Sequence, residues 1–400
     1  MPYGVFNREG APHVGVAIGD RILDLHACAN AGLLDGAAAR DLLTAPTLNA
    51  LAGAGRPAWA ALRARLIELL RADATQLQRH NVDRLLVARR DAAMRLPVAV
   101  GDYVDFYSSL EHATNLGKIF RPDGDPLMPN WRWIPIGYHG RSSTIVVDGT
   151  PVVRPSGQRK PPDVQTPTLG ASRSLDIELE IGFITGPGNA LGTPIPIDDA
   201  REHIFGLVIV NDWSARDIQA WEYQPLGPFL GKSFATSISP WIVTLDALEP
   251  FRLAGPAQTP APLPYLQNAQ AWNYDIVLRV LLESERMRRE GDAPAPISRS
   301  NFKYMYWNMA QQLAHATVNG TATRPGDLYA SGTISGPTPD SYGSFIELTW
   351  RGSKPLNLPN GEVRTFLDDG DRVTLAAACE RADARRIGFG SVSGMILPAR

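Results

Sequence analysis

Four carboxylates and one histidine in the central part of the chain have the types and settings to act together: Asp105, His112, Glu178, Glu180 and Asp212. In SLDIELEIGF, apolar Leu175, Ile177, Leu179 and Ile181 alternate with Asp176, Glu178 and Glu180, so a strand would put the three acids on one face. Side chains two apart on a strand are separated by about 6.5–7 Å, and acids that close repel unless water or a cation screens them. Taken alone, such a face reads most simply as a solvated outer surface. Asp212 closes the continuous apolar run IFGLVIV, the mark of a strand buried on both faces. After it, Arg216, Gln219 and Tyr223 follow at spacings that share one face if a helix continues from Asp212. Ser214 and Asp217 have the spacing of a capping box, which leaves Asp212 free of that duty.

The stretch GDYVDFYSSLEHATN is built the same way. Alternation puts Tyr103, Asp105 and Tyr107 on one strand face, Ser108 and Glu111 form a capping box, and Gly117 is a plausible helix stop. Asp105 and His112 have no such structural explanation. Asp105, Glu178, Glu180 and Asp212 together would make an all-oxygen site, which suits Mg2+ or Ca2+ rather than zinc. His112 would be an odd ligand for so hard a cation. It is free to act as a base, since an unperturbed pKa of about 6.5 suits proton transfer near neutrality.

These residues need a scaffold. HVGVAIGDRILDL holds two β-rich runs around Gly19-Asp20, a pair suited to a tight hairpin. PAWAALRARLIELLRA carries Trp59, Leu62, Leu66, Leu69 and Leu70 at helical spacing behind Pro57. No catalytic cluster appears before RLPVAVGDY, so residues 1–97 read as a supporting domain and residues 98–400 as the catalytic one. In the second part, STIVV, LDIELEIGFI, FGLVIVND, SPWIVTL, YDIVLRVLL and SFIELTW are strand candidates, and SNFKYMYWNMAQQLAHA is a helix candidate with an apolar stripe. The pattern is an α+β, mainly β fold rather than a regular β-α-β series.

Bulk properties exclude several classes. The net charge of −2 gives no basic face for nucleic acid. No run is long and apolar enough for a membrane span, and MPYGVFNREG lacks the regions of a secretory signal. Two cysteines, Cys28 and Cys379, make a disulfide framework or cysteine zinc site improbable and fit a reducing cytoplasm. GPFLGKS is a residue short of a phosphate-binding loop, GFGSVSG lacks the last glycine of a dinucleotide fingerprint, and no serine sits in a G-x-S-x-G elbow.

DYVDFYSSLEHATN, PNWRWIPIGYHGRSS, LDIELE, NDWSARDIQAWEYQPLGPFLGKSF and YASGTISG, together with the N-terminal PYGVFNREGAPHVGVAIGDRILDL, resemble the fumarylacetoacetase (fumarylacetoacetate hydrolase) family, in order and over nearly the whole chain. The resemblance implies an N-terminal SH3-like barrel and a larger C-terminal β-roll, assembled as a homodimer. It implies hydrolysis of a carbon–carbon bond in 4-fumarylacetoacetate to fumarate and acetoacetate, the last step of tyrosine and phenylalanine breakdown. Position by position, Asp105, Glu178, Glu180 and Asp212 match the family's divalent-metal ligands, with Lys232 and Thr236 supporting the metal. His112 matches the general base and Glu347 its carboxylate partner. Arg216, Gln219 and Lys232 match the groups around a developing oxyanion. Tyr107, Arg121, Tyr138, Gln219, Tyr223 and Thr333 match substrate-contacting positions. His139 is a competing base that the resemblance leaves in a structural role.

Two other readings remain open at this level. One is a relative that uses the same metal cradle for another reaction, such as an acylpyruvate hydrolase, a decarboxylase or an isomerase. The other is a binding protein that has lost its chemistry. The filled catalytic positions weigh against the second.

Overall fold

The computed structural model describes residues 1–80 and 82–400 and is mixed α/β, mainly β. Its largest sheet runs Leu86–Ala88, Arg21–Asp24, Ala11–Ile18, Pro2–Arg8, Trp241–Thr244, Ile204–Asp212, Leu179–Thr185, Leu328–Ala330, Tyr103–Phe106 and Gly137–His139, with short strands attached at its sides. Most neighbours are antiparallel, while Leu328–Ala330 lies parallel to Tyr103–Phe106. Ile204–Asp212 sits in the middle and is buried along its whole length, as its unbroken apolar run requires. A second sheet joins Ala295–Asn301, Val277–Glu283, Arg372–Arg381, Ala384–Leu397 and Val152–Val153. The main core includes Trp213, Tyr274, Phe345 and Phe389.

The N-terminal hairpin turns at Gly19-Asp20, where Gly19 has φ +58, a region glycine enters without strain. The helix Arg56–Leu69 starts with Pro57 in its first turn and buries Trp59, Leu62, Leu66 and Leu69. The first 97 residues do not keep a sheet to themselves. Pro2, Tyr3 and Gly4 pair with Val243, Ile242 and Trp241, so the large sheet passes from one part of the chain to the other.

Four local expectations give way. SFIELTW is not a strand: its residues Phe345–Leu348 form one helical turn. In SNFKYMYWNMAQQLAHA the helix begins only at Met309, behind a capping box of Asn308 and Gln311, and Phe302–Tyr304 is a separate short turn. Ser109, not Ser108, caps the helix Leu110–Phe120, accepting from the His112 amide at 3.2 Å. Gly117 does not end that helix; it lies inside it because a Cβ there would run into the Pro126 carbonyl.

Candidate active site

Asp105 leaves the strand Tyr103–Phe106, Glu180 sits on Leu179–Thr185, and Asp212 ends Ile204–Asp212. Glu178 occupies the break between the short strand Leu175–Asp176 and Leu179–Thr185. Their exposures are 1, 0, 1 and 6%, so the acids face the interior, and the solvated-surface reading of Glu178 and Glu180 is wrong. One carboxylate oxygen from each lies within 4.8 Å of the others. The gathering follows from the sheet: Leu179 pairs with Asn211, beside Asp212, and Ala330 with Asp105 on the far side.

Burial and like charge dominate the electrostatics. Burial, then the Asp212 carboxylate, pushes Asp105 well above the usual carboxylate range. Glu180 is pushed up by burial and by Asp105, Glu178 and Asp212. Burial also works to raise Glu178, but Lys232, Arg216 and His112 outweigh it and hold it at about 2. Lys232 is the bridge: its Nζ donates to Glu178 at 2.6 Å and Asp212 at 2.7 Å. The Tyr138 hydroxyl donates to Asp212 at 2.9 Å and Asp105 at 3.2 Å, and Thr236 reaches Asp212 at 3.3 Å.

The cluster fits a hard divalent cation. Asp105 Oδ1 and Glu180 Oε1 are buried with no hydrogen-bond partner among the described residues, an arrangement that leaves costly unsatisfied acceptors. A cation bound by carboxylate oxygens alone would satisfy both and relieve the repulsion that raises their pKa values.

His112 stands beside this cradle on the first turn of Leu110–Phe120. Its Nδ1 lies 2.7 Å from Glu347 Oε2, with both side chains buried. Burial works to raise Glu347, but His112 and a set of donors hold it below the usual range. Those donors are Asn115 at 2.9 Å and Ser344 at 2.7 Å, and the Ser335 hydroxyl also bonds the carboxylate, at 2.8 and 2.9 Å. Sequence reasoning missed all three. Asn115 follows His112 by three on one helix face, a spacing that could have flagged it; the two serines carry no local signal. Tyr107 meets His112 edge to face, ring centroids 5.3 Å apart.

Arg216 opens the helix Arg216–Glu222. The helix starts four residues after Asp212, so Asp212 is not on it, and Asp217 does not cap it but binds Ser172 and the Arg173 amide. Arg216 pairs with Asp176 at 2.7 Å and Glu178 at 2.8 Å and donates to Gln219 at 3.1 Å. Its Nη2 and the Thr333 hydroxyl are buried without partners among the described residues. Tyr223 is 42% exposed at the end of that helix. Arg121 is exposed and donates to the Pro126 carbonyl at 2.7 Å, near enough to act on the Tyr107 hydroxyl. Neither Tyr223 nor Arg121 is hydrogen-bonded to the four carboxylates among the described residues.

Of the other histidines, His139 lines a cavity with Tyr138, Asp212 and Lys232. His139 is exposed on Gly137–His139, His203 bonds the Pro187 carbonyl at 2.7 Å, and His315 meets the Tyr265 hydroxyl at 3.0 Å. His13 stacks on His26 beside Asp24 in the N-terminal part. GFGSVSG lies within the strand Ala384–Leu397, with no helix after it.

A buried oxygen cradle beside a His–carboxylate pair, in a mainly β fold, can hold a hard cation and move a proton, which is the equipment of a metal-assisted hydrolase. Residues 103–395 match the family described as Fumarylacetoacetate (FAA) hydrolase C-terminal, and residues 1–97 match Fumarylacetoacetase N-terminal. The chain is 52% identical over 406 residues to Fumarylacetoacetase of Homo sapiens, with all of this chain and 95% of that one aligned. Against Fumarylacetoacetase of Oryza sativa subsp. japonica it is 50% identical over 408 residues, with 100% and 94% covered. The chain belongs to the fumarylacetoacetase family. Solved structures share its fold at low identity. They include Fumarylacetoacetate hydrolase (EaFAH) from psychrophilic Exiguobacterium antarcticum, at TM-score 0.55 and 17% identity with both chains fully covered. Another is maleylpyruvate hydrolase from Sphingobium.sp SYK-6, at TM-score 0.52 and 16% identity, again with both fully covered.

Proposed function

We propose that the chain hydrolyses the carbon–carbon bond of 4-fumarylacetoacetate, giving fumarate and acetoacetate. The observation that carries this is the buried carboxylate cradle beside the His112–Glu347 pair, in a chain half identical along its length to relatives named Fumarylacetoacetase.

The contacts support the following roles. Glu347 holds His112 Nδ1–H, which leaves Nε2 to take a proton from water. The oxygen of that water adds to a carbonyl carbon of the diketone. Arg216, Lys232 and Gln219 donate hydrogen bonds to the oxyanion that forms, each such donor contributing about 2.7–4 kcal/mol. When the oxyanion collapses, the carbon–carbon bond breaks and its electron pair leaves with the acetoacetate half. The proton held on His112 returns to that carbon, which balances the hydrolysis. Asp105, Glu178, Glu180 and Asp212, with Lys232 and Thr236 behind them, would hold a divalent cation, which would supply Lewis-acid stabilisation of negative charge on the diketone oxygens. Tyr107, Arg121, Tyr138, Gln219, Tyr223 and Thr333 hold the substrate, Arg121 pairing with a carboxylate.

The same reading takes Mg2+ or Ca2+ as the ion, a homodimer as the assembly and the cytoplasm as the location. It takes residues 1–97 as an SH3-like domain and 98–400 as a catalytic β-roll. No helix among the described residues is long and apolar enough to cross a membrane. The test is a turnover assay with Mg2+ or Ca2+, following loss of the ultraviolet absorbance of fumarylacetoacetate. Consumption of that substrate is expected. Turnover of acylpyruvates without it would move the chain to another reaction on the same cradle.

A further inference from the structure

The geometry points to Asp176 as a positioning residue that sets the two halves of the catalytic apparatus, Glu347 and Arg216, from a single buried carboxylate. This rests on the roles proposed above for those two residues.

Asp176 is fully buried and accepts from four donors. Its Oδ1 takes the amides of Ile177 and Phe345, each at 2.7 Å. Its Oδ2 takes the Ile346 amide at 3.0 Å and Arg216 Nε at 2.7 Å. Phe345 and Ile346 open the turn Phe345–Leu348 that carries Glu347. The first amides of a helical turn have no partner within it, and the preceding Ser, Thr, Asn or Asp side chain commonly accepts from them. Ser344 stands at that place, but its hydroxyl makes no such bond and donates to Glu347 Oε2 instead. Asp176 supplies the acceptor from a distant strand. Ser344 is thereby free to hold the carboxylate that orients His112.

The second arm of Asp176 fixes Arg216. With Nε held by Asp176 and Nη1 by Glu178 and Gln219, the guanidinium plane is set and Nη2 is left without a partner. A guanidinium held by a rigid fork keeps its free N–H where it was aimed. Loss of Asp176 would loosen the general base's support and the oxyanion donor together. Partners of this kind typically cost roughly 10–100-fold in activity when removed.

The experiment compares D176N, E347Q, R216Q and their combinations in the full-length, metal-loaded protein, with D217N as control. Asp217 accepts from Ser172 and from the Arg173 and Ile218 amides, and from none of the groups that touch the cradle. D176N is expected to lower kcat roughly 10–100-fold. Mg2+ affinity by calorimetry should stay within about threefold, and D217N kcat within about threefold of wild type. In the E347Q/R216Q background, D176N should cost less than about threefold further, because the groups it positions are already gone. An equal loss in both backgrounds, or a D176N kcat within about threefold of wild type, overturns the inference. If D176N alone does not fold, D176N/R216Q is compared with R216Q, since removing both members of a buried pair is tolerated better than removing one. A further fall in kcat at unchanged KM is then expected through the Glu347 arm, and no further fall overturns the inference. Full activity of E347Q and R216Q would sink the site assignment and this inference with it. Their loss of activity while D176N stays active sinks this inference alone.

Discussion

The proposed roles give proton transfer to His112 and Glu347 and metal binding to the four carboxylates, and that division is open to direct test. His112→Ala is expected to lower kcat by about 10²–10⁴-fold while leaving divalent-ion binding intact. Calorimetric titration with Mg2+ checks the second half, and a collapse of binding would make His112 a ligand. The cradle itself predicts a pH dependence. Asp105 and Glu180 sit raised in the metal-free protein, so the folded chain binds more protons than the unfolded one above the ordinary carboxylate range. Stability without metal should therefore fall as pH rises through that window. Ion binding must expel those protons, so affinity should climb with pH. Thermal unfolding in chelator and in excess Mg2+ across pH should give diverging curves; parallel curves would show that the two acids are already ionised. The types and spacing of these residues were legible in the chain. Their burial was not, because an alternating acid face looks the same whether it meets water or a cation. Asp176 was hidden for the same reason: its donors lie far along the chain at Arg216, Phe345 and Ile346.

Helix ends and short turns show where local signals suffice and where they fail. The Gly19-Asp20 hairpin and the helix Arg56–Leu69 are set by residues within a few positions, and both form as read. SFIELTW has strand-like composition, yet Asp176 and the Glu347 contacts draw it into a turn, a tertiary override of a weak preference. Ser108 and Ser109 are both competent caps; the choice falls on Ser109 while the Ser108 hydroxyl accepts from Gln312 at 2.9 Å. Gly117 is the clearest case of a wrong local rule, since glycine serves there for close approach rather than for a stop. Gly117→Ala should therefore destabilise the protein by about 1–3 kcal/mol, because the Pro126 backbone must move. Gly124→Ala, where the nearest atoms to a new Cβ are 4.0 Å away, is the control. Denaturant midpoints measure both, and an unchanged midpoint for Gly117→Ala would refute the packing account.

The whole molecule is tied together by a sheet that the division at residue 97 would cut. Pro2–Arg8 hydrogen-bonds to Trp241–Thr244, which in turn borders Ile204–Asp212, the strand that delivers Asp212 to the cradle. The core beneath this seam joins Tyr3, Val5, Val14 and Val16 with Phe205, Val208, Val210 and Ile242. Trp59 closes over Phe205 with ring centroids 5.2 Å apart. Removing residues 1–97 would leave the Trp241–Thr244 edge unpaired and expose that apolar layer. Each buried Val, Ile or Phe contributes roughly 1.5–3 kcal/mol, and a few such losses reach the 5–15 kcal/mol that holds a typical domain together. A fragment of residues 98–400 is therefore expected to be insoluble or to unfold without a cooperative transition, and to lack turnover even with saturating Mg2+ or Ca2+. Adding back residues 1–97 in trans should restore part of both, because the seam is a continuous strand pairing and needs no covalent link. Circular dichroism melting and the fumarylacetoacetate assay report the two outcomes separately. A 98–400 fragment that melts cooperatively and turns over substrate would show that the N-terminal part only decorates a self-sufficient catalytic unit, and that the shared sheet is not what holds Asp212 in place.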